Sequence, residues 1–179
     1  HFGIDIWGCD LRDEIKVEAL LRDFQPDTII HLAAMAGVRD SLGKEKQYHA
    51  NNIDATQNLI DVCKAHLPDV RIVYASTSCV YAGSPVPWIE GKETGKQLNA
   101  YGYTKWANEC QMQSSGLNTV GLRFFTVYGP WGRPDMALFD FTKNILDEKE
   151  ITVYNYGDMK RDFTYVDDIL DGIEVVLNN

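Results

Sequence analysis

The chain has 179 residues, 45% hydrophobic and 24% charged, a balance typical of one soluble globular unit with a sizeable core. Its net charge of −9 argues against a general nucleic-acid or anionic-membrane surface, and no apolar run approaches the roughly 20 residues of a transmembrane helix. The four cysteines are scattered without a CxxC or Cys/His cluster, which indicates reduced cytoplasmic thiols and no metal site.

Short β-rich runs alternate with helical patterns along the chain. This alternation predicts an α/β fold, a doubly wound parallel-sheet (Rossmann-like) domain with helices on both faces. In chain order the predicted elements are a strand at Gly3–Trp7, a helix near Asp13–Phe24, a strand at Thr28–Leu32, a helix at about Lys44–His66, a strand at Val70–Ser76, a helix around Tyr101, a strand at Thr119–Phe124, a helix near Leu138–Glu148, a strand at Ile151–Tyr154 and a helix at Val166–Leu177.

The ends of this pattern differ from those of a complete dinucleotide-binding domain. Such a fold opens with a strand, a glycine-rich turn and a helix, and carries an acidic residue after its second strand. None of these features precedes His1, and Asn179 follows directly on a helix. We therefore expect residues 1–179 to form a single incomplete domain that lacks the N-terminal βαβ unit and most of a C-terminal subdomain.

Tyr101 and Lys105 lie one helical turn apart, so both side chains share a face and can act on one substrate. A lysine ammonium beside a phenol favours the phenolate and lowers the tyrosine pKa from about 10 toward neutrality. Tyr101 could then serve as a general acid or base. The same spacing also occurs on ordinary solvated helix faces, so the interpretation depends on the rest of the chain.

The carboxyl ends of the predicted strands carry small or polar residues, and in a parallel sheet these ends meet at the ligand crevice. Small residues let a flat ligand approach the backbone, and hydroxyls can bind a polar ligand. The four segments are residues 8–13 (GCDLRD), 31–39 (HLAAMAGVR), 75–81 (ASTSCVY) and 123–130 (RFFTVYGP).

These segments resemble those of the extended short-chain dehydrogenase/reductase family, and the match runs from residues 8–13 to residues 161–168. The strings at 123–137 and 153–159 are the most specific and are most similar to those of the UDP-glucuronate 4-epimerases. The resemblance implies NAD-dependent epimerisation of a nucleotide sugar at C4 through a 4-keto intermediate, most simply of UDP-glucuronate to UDP-galacturonate. Another UDP-hexose 4-epimerase and a non-catalytic dinucleotide-fold fragment remain alternatives.

The resemblance also implies a role for individual residues. Tyr101 corresponds to the catalytic base, Lys105 to the lysine that holds the nicotinamide ribose, and Thr77 to the residue that hydrogen-bonds the reacting sugar hydroxyl. The other implied cofactor contacts are Asp10, Leu11, Leu32, Ala33, Ala34, Met35, Asn52, Ala75 and Phe125. The other implied substrate contacts are Ser78, Thr126, Arg161, Arg133 and Arg39, of which Arg161 corresponds to a diphosphate ligand.

Further features refine the prediction. The string Thr77-Ser78-Cys79 lacks the extra carboxylate that dehydratases and decarboxylases of the family carry here, which favours an epimerase. Arg123 is expected to be a structural arginine paired with a carboxylate, and His31 a satisfied core histidine.

Assembly and completeness are also predicted. The resemblance implies a UDP-sugar substrate and a homodimer formed through the Tyr101 helix and the long helix before it. Residues of about 126–164 are expected to contribute to the substrate subdomain. Without the glycine-rich loop, the 179-residue chain alone is expected to bind NAD weakly and to be inactive.

Overall fold

The computed structural model describes residues 4–92 and 95–179, and the chain divides into two compact units, one running to Arg123 and the other Phe124–Asn179. The elements of the first unit are α1 (Glu14–Phe24), β1 (Thr28–His31), α2 (Glu45–Tyr48), a π-helical segment (His49–Asp54), α3 (Ala55–His66), β2 (Arg71–Thr77), a 3-10 turn (Ser78–Tyr81), α4 (Ala100–Ser114) and β3 (Asn118–Phe124), whose last residue begins the second unit. The second unit continues with β4 (Thr126–Tyr128), α5 (Ala137–Leu146), a 3-10 turn (Tyr154–Gly157), β5 (Phe163–Tyr165) and α6 (Val166–Asn178).

A three-stranded sheet in the order β1-β2-β3 organises the first unit. β1 and β2 run parallel, with Thr28 opposite Arg71 and His31 opposite Tyr74. All three strands begin and end within one residue of their predicted bounds, and the predicted α/β fold class is confirmed. The helix between β1 and β2 brings the chain back across the sheet, which a parallel connection requires.

The core of the first unit lies between the sheet and its helices. Val17 and Leu21 of α1 are buried together with Leu59 and Cys63 of α3 and Met112 of α4. Each fully buried aliphatic side chain of this size contributes roughly 1.5–3 kcal/mol through removal of apolar surface from water. Burial of these side chains therefore accounts for the packing of the three helices.

Two helix starts are set by side-chain caps. Asp13 Oδ1 accepts a hydrogen bond from Lys16 N at 3.2 Å at the start of α1. Asn99 Oδ1 accepts one from Gly102 N at 2.7 Å at the start of α4. These caps satisfy amides that the helix leaves without partners. The Asn99 cap places Tyr101 in the first turn of α4.

The long helix predicted at about 44–66 is confirmed from Glu45 to His66, but it contains a π-helical segment at His49–Asp54. A π-helical turn holds an extra residue and often marks a functional region. Here the wider turn buries Asn52, with 1% of its surface exposed. The hydrophobic pattern predicts the helix but not this local widening.

The second unit pairs β4 with β5 in parallel, with Thr126 opposite Phe163 and Tyr128 opposite Tyr165. At Gly129, where φ is +136°, a Cβ would lie 2.7 Å from Val166 Cγ1, so only glycine fits this turn. The two strands are three residues long, too short for the alternation that identifies a strand in a sequence. Within the described part of the chain, no helix has the length and apolar character needed to cross a bilayer.

Two predicted strands are wrong. Residues 4–7 are irregular, with Ile4 and Ile6 72% and 93% exposed, while Gly3 lies outside the described residues. No strand among the described residues pairs with them, and an extended segment needs such a partner to form a sheet. In the strand predicted at 151–154, residues 151–153 are irregular and Tyr154 begins a 3-10 turn. Asn155 and Tyr156 of this turn have φ values of +49° and +52°, which lie outside the range of a strand.

Candidate active site

Tyr101 and Lys105 both lie on α4, one turn apart. Tyr101 is half-buried, whereas Lys105 is only 4% exposed. Burial penalises the ammonium form and lowers the pKa of Lys105 from 10.5 to about 8. Lys105 thus remains mostly protonated at neutral pH and provides a buried positive charge on the helix that carries the phenol.

Thr77 ends β2 and is 6% exposed. Its Oγ1 accepts a hydrogen bond from Cys79 N at 3.3 Å, which starts the 3-10 turn that contains Ser78. This turn packs against the beginning of α4, since a Cβ added to Gly102 would lie 3.5 Å from Cys79 Cβ. The structure therefore brings the segment that carries Thr77 and Ser78 next to the first turn of the Tyr101 helix.

A cleft of about 460 Å³ opens at the carboxyl end of β1. Five of the predicted cofactor contacts line it together, and the small side chains among them leave room for a flat ligand. Cys9, Asn51 and Ala55 also line the cleft and were not predicted, although Asn51 and Ala55 have the i, i+4 spacing of one helix face. The five predicted residues are Asp10, Leu11, Ala33, Ala34 and Met35.

Asp10 carries a fixed negative charge at this cleft. Its Oδ2 accepts a hydrogen bond from Arg12 Nη2 at 2.6 Å, and its Oδ1 accepts one from Arg12 N at 3.0 Å. The bonds from Arg12 lower the pKa of Asp10 to about 2. Arg12 Nε also donates to Oδ1 at 3.0 Å and to Oδ2 at 3.2 Å, so a ligand amine at Asp10 would share a carboxylate oxygen with Arg12 or displace it.

Asn52 connects the cleft with α4. Its Oδ1 accepts from Met35 N at 2.7 Å, and its Nδ2 donates to Met35 O at 3.0 Å and to Thr104 Oγ1 at 2.9 Å. Thr104 Oγ1 in turn donates to Tyr101 O at 2.9 Å. Both amide protons of Asn52 are thus engaged by protein atoms. Thr104 was not predicted, although its position three residues after Tyr101 could have suggested a contact on the same side of the helix.

Besides Asn52 and the residues at Thr77 and Tyr101, three further predicted contacts of the first unit lie outside the lining of this cleft. Leu32 is 55% exposed at the end of β1, Ala75 is half-buried in β2, and Arg39 is exposed in a turn after β1. Their roles stay predictions.

The second unit has a cleft of its own, of about 430 Å³, with a largely apolar lining. Thr126 and Arg133, two of the predicted substrate contacts, line it. The Arg133 guanidinium pairs with Asp135, with Nε 2.9 Å from Oδ1. Arg161 is exposed and donates to Lys160 O at 2.6 Å outside this lining, and Phe125 is half-buried.

Two structural expectations are confirmed. His31 is 7% exposed, and its Nε2 lies 3.0 Å from Thr56 Oγ1. Burial, and to a smaller extent the charge of Lys105, lower the pKa of His31 to about 4, so its imidazole is neutral at pH 7.

Arg123 pairs with Glu109 in a bidentate arrangement, with N–O distances of 2.9 and 2.7 Å, and this pairing raises the pKa of Arg123. The carboxylate partner predicted for Arg123 is therefore on the Tyr101 helix.

Comparison with known proteins matches residues 3–179 to the NAD dependent epimerase/dehydratase family. UDP-glucuronate 4-epimerase 1 of Arabidopsis thaliana is 47% identical over 179 residues, which cover 95% of this chain and 42% of that protein. The UDP-glucuronic acid 4-epimerase from Bacillus cereus, solved with UDP-glucuronic acid and NAD, is 38% identical with a TM-score of 0.83, covering 93% of this chain and 54% of that one.

The structure of MoeE5 in complex with UDP-glucuronic acid and NAD is 34% identical with a TM-score of 0.85. The match covers 94% of this chain and 56% of the MoeE5 chain. The chain thus spans about half the length of the relatives that it matches. The family match includes both the segment with Tyr101 and Lys105 and the cleft at Asp10. The chain belongs to the NAD dependent epimerase/dehydratase family.

Proposed function

We propose that this protein epimerises a nucleotide sugar at C4 with NAD as cofactor, and that its substrate pair is UDP-glucuronate and UDP-galacturonate. The observation that carries the proposal is the placement of Tyr101 and the buried Lys105 one turn apart on α4, beside the segment that holds Thr77. The family match and the UDP-glucuronate 4-epimerases among the relatives support the reaction class.

We assign the cleft at Asp10 to the adenine end of the dinucleotide. Asp10 offers an ionised acceptor for the adenine amine, and the methyl side chains of Ala33 and Ala34 leave the backbone accessible to a flat group. Lys105 would hold the nicotinamide ribose. The C4–H bond of a sugar is not acidic, and bound NAD supplies the reversible oxidation that direct deprotonation cannot provide.

The protein's own residues manage the proton at the sugar hydroxyl. The Tyr101 phenolate accepts the proton of the 4-hydroxyl and later returns it, and the Lys105 ammonium stabilises that phenolate. The Thr77 hydroxyl orients the reacting hydroxyl by a hydrogen bond. General acid–base assistance of this kind is typically worth about 10²–10⁴-fold in rate.

The preference for UDP-glucuronate is assigned to hydroxyl and guanidinium groups. Ser78, which follows Thr77, and Thr126, which lines the cleft of the second unit, would each bind the sugar carboxylate. A held carboxylate is less free to leave as carbon dioxide from the 4-keto sugar. Arg161 would pair with the diphosphate, to which a guanidinium fork is well matched, Arg133 would contact the nucleotide, and Arg39 is a further anion contact.

The test is to incubate the full-length gene product with NAD and separately with UDP-glucuronate, UDP-glucose and UDP-N-acetylglucosamine, and to resolve the C4 epimers by NMR. We expect conversion of UDP-glucuronate to dominate. Preferential conversion of either of the other sugars would move the assignment to another UDP-hexose 4-epimerase. Tight NAD binding without turnover of any of the three would favour the non-catalytic alternative.

We also propose that the protein forms a homodimer through α4 and the long helix before it. Tyr103, 45% exposed, and Trp106 form a ring pair on α4 with centroids 6.1 Å apart, a surface that a second copy could cover. Sedimentation of the full-length product should give a dimer, and a Tyr103→Glu substitution should shift it toward monomer.

A further inference from the structure

A cluster of polar side chains lies behind the segment that carries Thr77. The Glu109 carboxylate accepts hydrogen bonds from Arg123 Nε at 2.9 Å and Nη2 at 2.7 Å, and Ser76 Oγ donates to the same carboxylate. The Arg123 guanidinium also lies over the Tyr81 ring, with its Cζ 4.6 Å from the ring centroid. None of these four side chains has a role in the proton transfer described above.

The cluster holds both ends of one short segment. Ser76 directly precedes Thr77, and Tyr81 ends the 3-10 turn that follows it. Ser76 is bound by Glu109, and Tyr81 contacts the arginine that Glu109 holds. Both ends of residues 76–81 are therefore attached to one ion pair.

The same ion pair belongs to the Tyr101 helix. Tyr101, Lys105 and Glu109 follow one another at four-residue intervals on α4, so they lie along one stripe of the helix. A displacement of the Glu109 carboxylate would therefore change the position of Thr77 relative to Tyr101. It would leave Tyr101 and Lys105 in place relative to each other, because they share a helix.

Burial makes this attachment stiff. Ser76 and Tyr81 are 3% and 4% exposed, and the side chains of Arg123 and Glu109 are 24% and 16% exposed. A bidentate arginine–carboxylate pair has a fixed planar geometry, and reduced contact with water strengthens its electrostatic attraction. The pair thus allows little movement between β2, the 3-10 turn and α4.

We propose that Glu109, through Arg123 and Ser76, is a positioning residue that sets the place of the Thr77 hydroxyl relative to the Tyr101 phenol. The inference rests on the proposed function, since it concerns the rate of the same proton transfer. Misplacement of a reacting group by about 1 Å can cost roughly 10²-fold in rate. Substrate and cofactor binding should change little, because Glu109 is not among the predicted ligand contacts and does not line the cleft at Asp10.

The principal test is Glu109→Gln in the full-length gene product. We expect kcat to fall by about 10- to 100-fold while KM for the UDP-sugar stays within about 2-fold. The pH profile of kcat should keep its apparent pKa values, because the Tyr101–Lys105 relation is preserved. The matched control is Glu18→Gln, which breaks a surface pair with Arg22 at 3.1 Å and should leave kcat unchanged.

A double-mutant cycle with Thr77→Ala separates positioning from a general structural effect. If Glu109 acts through the Thr77 hydroxyl, Glu109→Gln should cost less than about 3-fold once that hydroxyl is absent. Equal losses in both backgrounds would overturn the proposal, as would an unchanged kcat in Glu109→Gln. Ser76→Ala removes only one hydroxyl and serves as a second test if Glu109→Gln folds poorly. We expect Ser76→Ala to lower kcat several-fold.

Amide hydrogen exchange gives a readout that does not need turnover. Glu109→Gln should accelerate exchange at residues 78–82, whereas Glu18→Gln should not. If the wild-type protein converts no UDP-sugar, the proposed function fails, and faster exchange at 78–82 would still support the attachment of this segment to Glu109. Unchanged exchange there would overturn the attachment itself.

Discussion

The Arg123–Glu109 fork of the first compact unit and the Arg133–Asp135 fork of the second share a geometry but not an environment. Arg123 Nε lies 2.9 Å from Glu109 Oε1, and Arg133 Nε lies 2.9 Å from Asp135 Oδ1. The arginine and carboxylate side chains are 24% and 16% exposed in the first pair, against 43% and 56% in the second. Exposed pairs contribute about 0–1 kcal/mol, and we expect the less exposed Arg123–Glu109 pair to contribute more.

The contrast extends to the units as a whole. In the first unit, hydrogen bonds that are buried or partly buried, such as those of Asn52 and Glu109, hold the segments that carry the predicted site residues. In the second unit the described residues of α5 and α6 include none that are buried. Substitutions in the first unit should therefore alter both chemistry and stability, while those in the second should act mainly on ligand contacts.

The largest effect is expected at Tyr101. Tyr101→Phe removes the hydroxyl that accepts the sugar proton and should lower kcat by at least about 10²-fold, measured by NMR on the full-length product. Tyr103→Phe is the matched control, since Tyr103 lies two residues along the same helix and is 45% exposed. Near-normal turnover of Tyr101→Phe would remove the catalytic assignment.

Asn52→Ala tests whether buried hydrogen bonds hold the first unit together. The change deletes three bonds to Met35 and Thr104 and leaves their partners buried, so the free energy of unfolding should fall by about 3 kcal/mol or more. Asn51→Ala is the control, because Asn51 donates only an exposed bond to Gln47 O and should cost less than about 1 kcal/mol. Equal losses in urea titrations would contradict the comparison.

Lys105→Met should separate stability from activity. The pKa of Lys105 falls from 10.5 to about 8 in the folded state, so the unfolded chain binds more protons and stability rises with pH between these values. At pH 7 the buried charge costs on the order of 3 kcal/mol, which Lys105→Met should recover while it abolishes turnover. In urea titrations, the stability that Lys105→Met gains over the wild type should vanish near pH 10.5. A variant less stable than the wild type at pH 7 would contradict this.

His31 should make the first unit sensitive to acid. Its pKa is about 4 in the folded state against 6.5 ordinarily, so protonation of the unfolded chain reduces stability as pH falls through this window. The total effect is about 2–3 kcal/mol between pH 7 and pH 4. A His31→Gln variant should lose this part of the pH dependence in thermal unfolding, and an unchanged dependence would argue against a neutral buried imidazole.

The smallest effect is expected in the second unit. Asp135→Asn weakens the exposed fork with Arg133 and should change the free energy of unfolding by less than about 1 kcal/mol. High salt should reduce even that difference, since exposed charges are screened. A loss as large as that of Glu109→Gln in the same thermal assay would show that burial does not separate the two forks.

The sequence by itself determined the elements of the first unit and the spacing of the catalytic pair. Hydrophobic periodicity is a local property, so β1, β2, β3 and the long helix follow from runs of neighbouring residues. The four-residue interval between Tyr101 and Lys105 is likewise set by the helix alone. The same local reasoning failed at 4–7 and 151–154, because a strand also needs a partner that no local pattern supplies.

Only the tertiary structure decided how these pieces are joined. Asn52 meets Thr104 across 52 positions of sequence, and Ser76 meets Glu109 across 33. The burial that lowers the pKa of Lys105 and the widened helical turn at Asn52 are likewise products of packing. Contacts of this kind depend on how distant segments fold against each other, and periodicity within a segment contains no information about them.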